Sequence, residues 1–437
     1  MRVSSGARPM PSLRIGLVAA VLAALGLFGL VQSASAAFTA PVDVSGSLAS
    51  DPQVATDADG DSVIVWDRPT FTNGPQARTL SAAGTPGPIF DLALASGGQT
   101  DHSPRLAIDA RGDTIFAWSR TTGSPTVVAR MMKADGTLGP TFFVSQAGGG
   151  TGLGSIDVAS DRTGDSVITW VNNSTNRVQA RVVSARGAVG PIRNVSGLRG
   201  RAPQVATDAG GDSVLTWVLE DGVDGDNDVI QARTMSVNGT LGPAFNLSAA
   251  SGRATGPQVA TDVDGDTTFT WLRTDGERDR AQTRTRSADG VLTAVVNLSA
   301  AGRSAQDPQV ATDATGDSVF AWEIFDGLDD RVQVRTLSSA GALGPLTSIS
   351  APGGEAFAQQ VDSSSTGLST FTWLRFDGTN DIVQARRISP AGAVGGTFTL
   401  AAVGVDAQTP QVAVASDTAT AAVVWERGGI IQVSTGP

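Results

Sequence analysis

All eight tryptophans of this 437-residue chain close the same local pattern. Trp66, Trp118, Trp170, Trp217, Trp271, Trp322, Trp373 and Trp425 recur roughly every 50 residues, a period that marks a repeat architecture. "DPQVATDADGDSVIVW" ends at Trp66, and "APQVATDAGGDSVLTW", "GPQVATDVDGDTTFTW" and "DPQVATDATGDSVFAW", ending at Trp217, Trp271 and Trp322, are near copies of it. Each is followed by a segment such as "VIQARTMS" and then by one such as "GTLGPAFNLS". The units run edge to edge without linkers, so each must bury its apolar surface against its neighbours.

Each unit reads as four short strands. The first, "PQVAT", opens on a proline, which suits the start of a strand. The second, Ser62 to Trp66 in the first unit, is apolar on both faces, as expected of a sheet packed between two others. The third holds "QAR" and the fourth "FNLS"; Gly and Asp clusters separate them, and no stretch has helical periodicity. Four-stranded units of this length suit an all-β ring of radial sheets, the β-propeller. The chain ends set the blade number. The last unit stops after "IIQVSTGP", without a fourth strand, and "APVDVSGS" from Ala40 resembles the missing one. The expectation is an eight-bladed β-propeller of four-stranded blades, closed by pairing of the N- and C-terminal strands, with no long free edge. An open solenoid would have no reason to divide one unit in this way.

The segment between the first two strands also looks like a calcium loop, because Asp57, Asp59 and Asp61 surround Gly60. The repeats decide against that reading. Asp recurs nine residues before the Trp at Asp57, Asp109, Asp161, Asp208, Asp262 and Asp313, and Gly recurs from Gly60 through Gly367. The position between them varies through Asp59, Arg111, Thr163, Gly210, Asp264 and Thr315, and an arginine there would repel the ion. A turn needs only an Asp to cap the backbone and a Gly free to take positive φ. Only the Asp57/Asp59/Asp61 and Asp262/Asp264/Asp266 loops keep the acids a calcium ion would use.

Arg2, Arg8 and Arg14 precede an uncharged apolar run from Ile15 to Val31, and Ala34-Ser35-Ala36 follows. That is the layout of a secretory signal peptide, so residues 1–36 are read as the signal and 37–437 as one propeller domain, secreted and monomeric. The formal charge of −11 falls to −14 once those three arginines leave, since residues 1–36 hold no acid. Such a balance argues against nucleic acid and anionic membranes as partners. With no cysteine, disulfides, zinc–thiolate sites and cysteine nucleophiles are excluded; there is no tyrosine and one histidine, His102.

The pattern resembles the tandem propeller repeats of secreted bacterial proteins over essentially the whole mature chain. "ATDATGDSVFAW" resembles the tryptophan-docking motif of eight-bladed quinoprotein dehydrogenases at Ala311, Asp313, Gly316 and Trp322, although the turn is one residue shorter and the Trp lies further on. The resemblance implies that Trp322 and its equivalents wedge each blade against its neighbour. It does not extend to redox activity, because the adjacent cysteine pair of many such enzymes has no counterpart. The turns also resemble the Asp boxes of sialidase-like propellers, with a different Asp-to-Trp spacing and without the tyrosine nucleophile.

Several residues invite a functional reading. Arg78, Arg130, Arg181, Arg233, Arg284, Arg335 and Arg386 occupy one strand-three position, where each is expected to pair with its own blade's turn Asp. The glutamines two residues earlier, such as Gln231 and Gln333, are read as structural too, and His102 as a surface residue. The loops between strands two and three break the eightfold pattern. The fourth carries Glu220, Asp221, Asp224, Asp226 and Asp228, the sixth Glu323, Asp326, Asp329 and Asp330 against Arg331, and the seventh Asp377 and Asp381 against Arg375. One side of one face should therefore be acidic, partly neutralised by Arg199, Arg201, Arg253 and Arg303. Asp224, Asp226 and Asp228 have the alternating spacing of calcium ligands, though Val229 stands where such a loop wants Gly.

No constellation of catalytic residues stands out. The sequence points to a secreted non-enzymatic scaffold presenting loops to an extracellular protein or glycan, with Ca2+ as a candidate ligand and no other cofactor. The alternative is a carbohydrate-active enzyme using Asp and Glu carboxylates in the central cleft.

Overall fold

The computed structural model describes residues 37–436 apart from 69–73, 94–99, 123, 147–155, 222–224, 275 and 402–403. Residues 1–36, read as the signal peptide, and Asp224 lie outside the described residues. Among the described residues every regular element is a strand, and the strands form eight four-stranded antiparallel sheets. The inner strands are Ser50–Thr56, Thr100–Ile108, Ile156–Ser160, Gly200–Thr207, Ala254–Thr261, Ala305–Thr312, Ala356–Ser363 and Ala407–Val414. Each lies beside the next, and the eighth lies beside the first, so the sheets close a ring as blades of an eight-bladed β-propeller.

The eighth blade takes its outer strand, Val42–Asp43, from the start of the described chain and pairs it with Ile430–Gly436. The bonds explain why "DVS" can serve there. In blade four, Gln231 Nε2 donates to Asn246 Oδ1 at 2.8 Å, and the Ile230 N–H donates to Ser248 Oγ at 2.9 Å. In blade eight, Gln432 Nε2 donates to Asp43 Oδ1 at 2.7 Å, and the Ile431 N–H donates to Ser45 Oγ at 2.8 Å. Leu247 and Val44, between those polar residues, are both buried. The "NLS" ending is thus an outer-strand fastener, and its first and third residues do the bonding.

All eight tryptophans are fully buried. Trp118 packs with Val63, Val65, Ala77 and Leu92 of the preceding blade, and Trp66 packs with Ala422, Val424 and Val433 of blade eight. The wedge expected from the quinoprotein resemblance is present. Strand two of blade one, Ser62–Asp67, is buried throughout because both its faces meet other blades.

The proline of "PQVAT" does not begin the strand. In blade one the register runs Ser50 to Asp67 and then Gln53 to Val65, so a β-bulge holds Asp51 and Pro52. A bulge leaves one residue without a ladder partner, and proline has no N–H to lose. Asp51, Ser103, Ala202, Asp307 and Thr409 each precede that proline with positive φ, between 44° and 54°.

The turn reading holds. Asp57 Oδ1 accepts the backbone N–H groups of Asp59, Gly60 and Asp61, and Asp61 Oδ1 accepts the Ala82 N–H. Two of the three carboxylates that suggested calcium thus each hold amide donors on one oxygen, while Asp59 is exposed. Gly211 at φ +88° serves a further purpose, because a Cβ there would lie 2.9 Å from Oδ2 of Asp161, the turn Asp of the preceding blade.

The strand-three arginines do not pair with the turn Asp. Arg130 Nε donates to the Gly139 carbonyl of its own blade at 2.7 Å, and Nη1 donates to the Leu92 carbonyl of the preceding blade at 2.9 Å. Arg78, Arg181, Arg233, Arg284, Arg335 and Arg386 repeat the arrangement, with Arg78 reaching Val44 across the closure. Oδ1 of each turn Asp already accepts backbone N–H groups, and the arginines bond main-chain carbonyls instead. The seven guanidiniums are clamps between blades.

Candidate functional site

Strand alternation sends the one–two and three–four hairpins to one face and the two–three loops and blade connections to the other. The hairpin face opens into clefts at equivalent places on three blade boundaries. They measure about 480 Å³ between blades one and two, 360 Å³ between four and five, and 320 Å³ between six and seven. Thr79, Thr234 and Thr336 of strand three occupy the same position in each. The first cleft adds Phe90, Pro86 and Arg111; the second adds Asp264 and Arg286, whose guanidinium lies 5.6 Å from the Phe245 ring; the third adds Pro345 and Pro390. A depression of about 180 Å³ lies where turns of blades three to eight meet. Its carboxylates Asp161, Asp208, Asp262 and Asp313 all accept backbone N–H bonds through Oδ1.

On the other face, many of the acidic loop residues are held in bonds within their own loops. In blade four, Arg201 bonds Glu220 at 2.7 Å and Asp228 at 2.6 Å, and Asp228 is only 2 % exposed. Asp228 also accepts the Asp221 N–H, and Asp221 Oδ2 accepts the Asn227 N–H. A calcium ion in this loop would have to displace Arg201 from Asp228. Asp226 is exposed. Among the described residues, no three Asp, Glu or His side chains converge closely enough to hold a metal ion.

In blade six, Asp326 accepts the Leu328 and Asp329 N–H groups and pairs with Arg331 at 3.2 Å, while Asp329 accepts the Gly354 N–H. Asp330 pairs in register with Phe325 at the hairpin end. Glu323 does not belong to the acidic surface. It is 6 % exposed, its Oε1 accepts the Ala358 N–H of blade seven at 2.6 Å, and its apolar-looking place in strand two follows from register with Gln306 and Val332.

Burial, reinforced by Asp307 and Asp330, pushes the Glu323 carboxyl up to about 7 from 4.5. The folded protein therefore holds this proton more tightly than the unfolded chain does. The associated stability is fully present below pH 4.5 and is lost as pH rises through about 7. Glu323→Gln keeps an oxygen for the Ala358 N–H and removes the charge. It should raise stability by roughly 3 kcal/mol above pH 8 and leave it unchanged at pH 4. Denaturant melts of both proteins at the two pH values check this, and an equal gain at both would refute the electrostatic cause.

His102 is half-buried, and its Nδ1 finds no partner; the buried Asp67 beside it has Oδ1 likewise unpaired, with Oδ2 accepting the Ser103 N–H at 3.2 Å. The Asp67 carboxyl is raised by burial and by Asp51, and lowered by Ser103 and His102. Sequence spacing carried no sign of this proximity, because Asp67 and His102 come from different blades.

The sequence matches no protein-family model and no curated protein. Among solved structures, the BP39L lectin from Burkholderia pseudomallei aligns with a TM-score of 0.53 at 12 % identity, over 82 % of this chain and 100 % of that one. The β-propeller domain of the Trilobed protease from Pyrococcus furiosus aligns with a TM-score of 0.49 at 6 % identity, over 77 % and 95 %. Puromycin hydrolase aligns at 0.48 and 14 % identity over 74 % of this chain, which spans about half the length of that enzyme. At these identities the likeness is one of fold.

Proposed function

We propose that this protein is a secreted recognition scaffold without catalytic turnover, and that its interblade clefts bind a glycan built of repeated units. The observation that carries the reading is the recurrence of one cleft at three blade boundaries, formed from equivalent positions. A ring of equivalent sites gains avidity on a polymer through effective concentration, which a single pocket cannot do. The cleft walls suit sugars: Phe90 and the prolines offer apolar faces, and Arg111, Asp264 and the threonines offer polar groups. Arg111 and Asp264 differ between clefts, so the sites need not be equal in affinity.

Purified protein on a glycan array, followed by calorimetry on any hit, tests the reading. The expected result is more than one site per chain, with Arg111→Ala and Asp264→Ala each weakening a separate fraction of the binding. A single site insensitive to both substitutions would overturn it. A second reading, carboxylate-assisted glycan hydrolysis, is favoured by the unpaired Asp67 and His102 atoms. Turnover of an array hit, abolished by Asp67→Asn, would establish that reading in place of the first.

A further inference from the structure

The two–three loops of blades six and seven share a motif that the other described loops lack, Phe325-Asp326-Gly327 and Phe376-Asp377-Gly378. The corresponding position before Asp-Gly is Glu220 in blade four and Thr274 in blade five. Both phenylalanines face outward, Phe325 at 51 % and Phe376 at 40 % exposure, and Leu328 at the loop tip is 87 % exposed. Large apolar groups grouped in this way carry a standing cost in water and mark contact surfaces.

The loops holding them are tied down. Asp326 Oδ1 accepts the Leu328 and Asp329 N–H groups, and Asp377 Oδ1 accepts those of Thr379 and Asn380. Gly327 and Gly378 turn at φ +110° and +102°. The connection between the blades joins them into one ledge, because the Gly354 N–H donates to Asp329 and the Phe376 N–H donates to the Glu355 carbonyl. Anchors held on capped turns lose little conformational freedom on binding.

Carboxylates surround the anchors: Asp326, Asp329 and Asp330 on one side, and Glu355, Asp377, Asp381 and Asp406 on the other. Burial, and after it the nearby Asp406, Glu355 and Asp377, disfavour the charge of Asp381. The nearby cations offset this in part. Arg331 is bonded to Asp326 and the Ser350 carbonyl, and Arg375 is buried against the carbonyls of Ala351 and Gly354. Arg303 donates to the Phe325 carbonyl at 3.1 Å from an exposed position.

We infer that this ledge, on the face opposite the clefts, docks a cationic amphipathic protein segment, with apolar residues seated on Phe325, Leu328 and Phe376 and flanking Lys or Arg meeting the carboxylates. Charge complementarity selects that occupant: the ledge is acidic, and a second copy of this chain, at −11 overall, would bring like charge to it.

The test uses the purified protein and a synthetic Lys/Leu amphipathic peptide, with poly-lysine of matched charge as a second probe, both followed by fluorescence anisotropy. The amphipathic peptide should bind at least tenfold more tightly than poly-lysine. Phe325→Ser/Phe376→Ser should remove that advantage without moving the melting temperature, and Asp377→Asn/Asp381→Asn should weaken binding and flatten its salt dependence. Lys133→Ala, in a three–four hairpin on the opposite face, should leave the affinity for both probes unchanged. Equal binding of the two probes, or an unchanged affinity in the double Phe variant, would overturn the inference. So would a dimer in light scattering that Leu328→Asp dissolves, since the ledge would then serve self-association.

Discussion

A chain lacking residues 37–45 should lose on the order of 5 kcal/mol or more of stability and expose a sticky edge. The deletion removes Val44 from the core, about 1.5–3 kcal/mol on burial alone. It also removes the pairs Val42 with Val433 and Asp43 with Gln432, the Ser45 bond to the Ile431 N–H, and the Val44 carbonyl that holds Arg78. Each lost bond is worth about 0.5–1.5 kcal/mol net. Strand Ile430–Gly436 would then present unpaired backbone groups, a template for intermolecular pairing. Denaturant unfolding with size-exclusion chromatography measures both effects. A synthetic peptide covering residues 37–48 should restore the monomer by adding the missing strand. An unchanged unfolding midpoint in the deleted chain would show that the ring does not depend on this closure.

Trp271→Ala should cost about 3–5 kcal/mol, the usual range for emptying a large aromatic site. Trp271 is fully buried and touches both blades of its boundary, packing with Val214, Val218 and Ile230 of blade four and Phe269 of its own blade. The cavity cannot collapse easily, because each blade is held on its other face by a further Trp. Trp271→Phe should recover about half of the loss by refilling the boundary. A loss below about 1 kcal/mol for the alanine variant would mean that blade stacking rests on the arginine clamps more than on the wedge.

The clamps and the wedges are separate devices, and they differ in how they respond to solvent. The tryptophans act through apolar area, which salt strengthens, whereas each guanidinium bonds main-chain carbonyls and needs no opposite charge. Burial lowers the readiness of Arg130, Arg181 and Arg335 to hold a proton, yet an arginine stays charged at any pH a folded protein meets. Stability at the blade boundaries should therefore depend on pH through buried carboxylates rather than the clamps, with Glu323, Asp157 and Asp362 foremost. Asp157 and Asp362 each accept an N–H from the next inner strand, and burial raises both to about 6.

The repeat, the four strands of each unit, the blade number and the closing strand were all legible in the amino-acid order, because each rests on local pattern. A period-two apolar strand, a Gly able to take positive φ and an "NLS" ending keep their meaning whatever lies beside them. The partners of side chains were not legible in the same way. Arg130 bonds a carbonyl 38 residues away in another blade, and Glu323 meets an N–H 35 residues on. From sequence alone the arginines pointed to the nearest acids and Glu323 to the acidic surface. Arg201, which bridges Glu220 and Asp228, likewise tied one carboxylate of the calcium-like Asp224, Asp226 and Asp228 spacing into an ion pair. Composition and order determined that eight sheets would form a ring. Only the tertiary structure decided which charges face water, because burial and pairing depend on segments that the ring, and not the chain, makes neighbours.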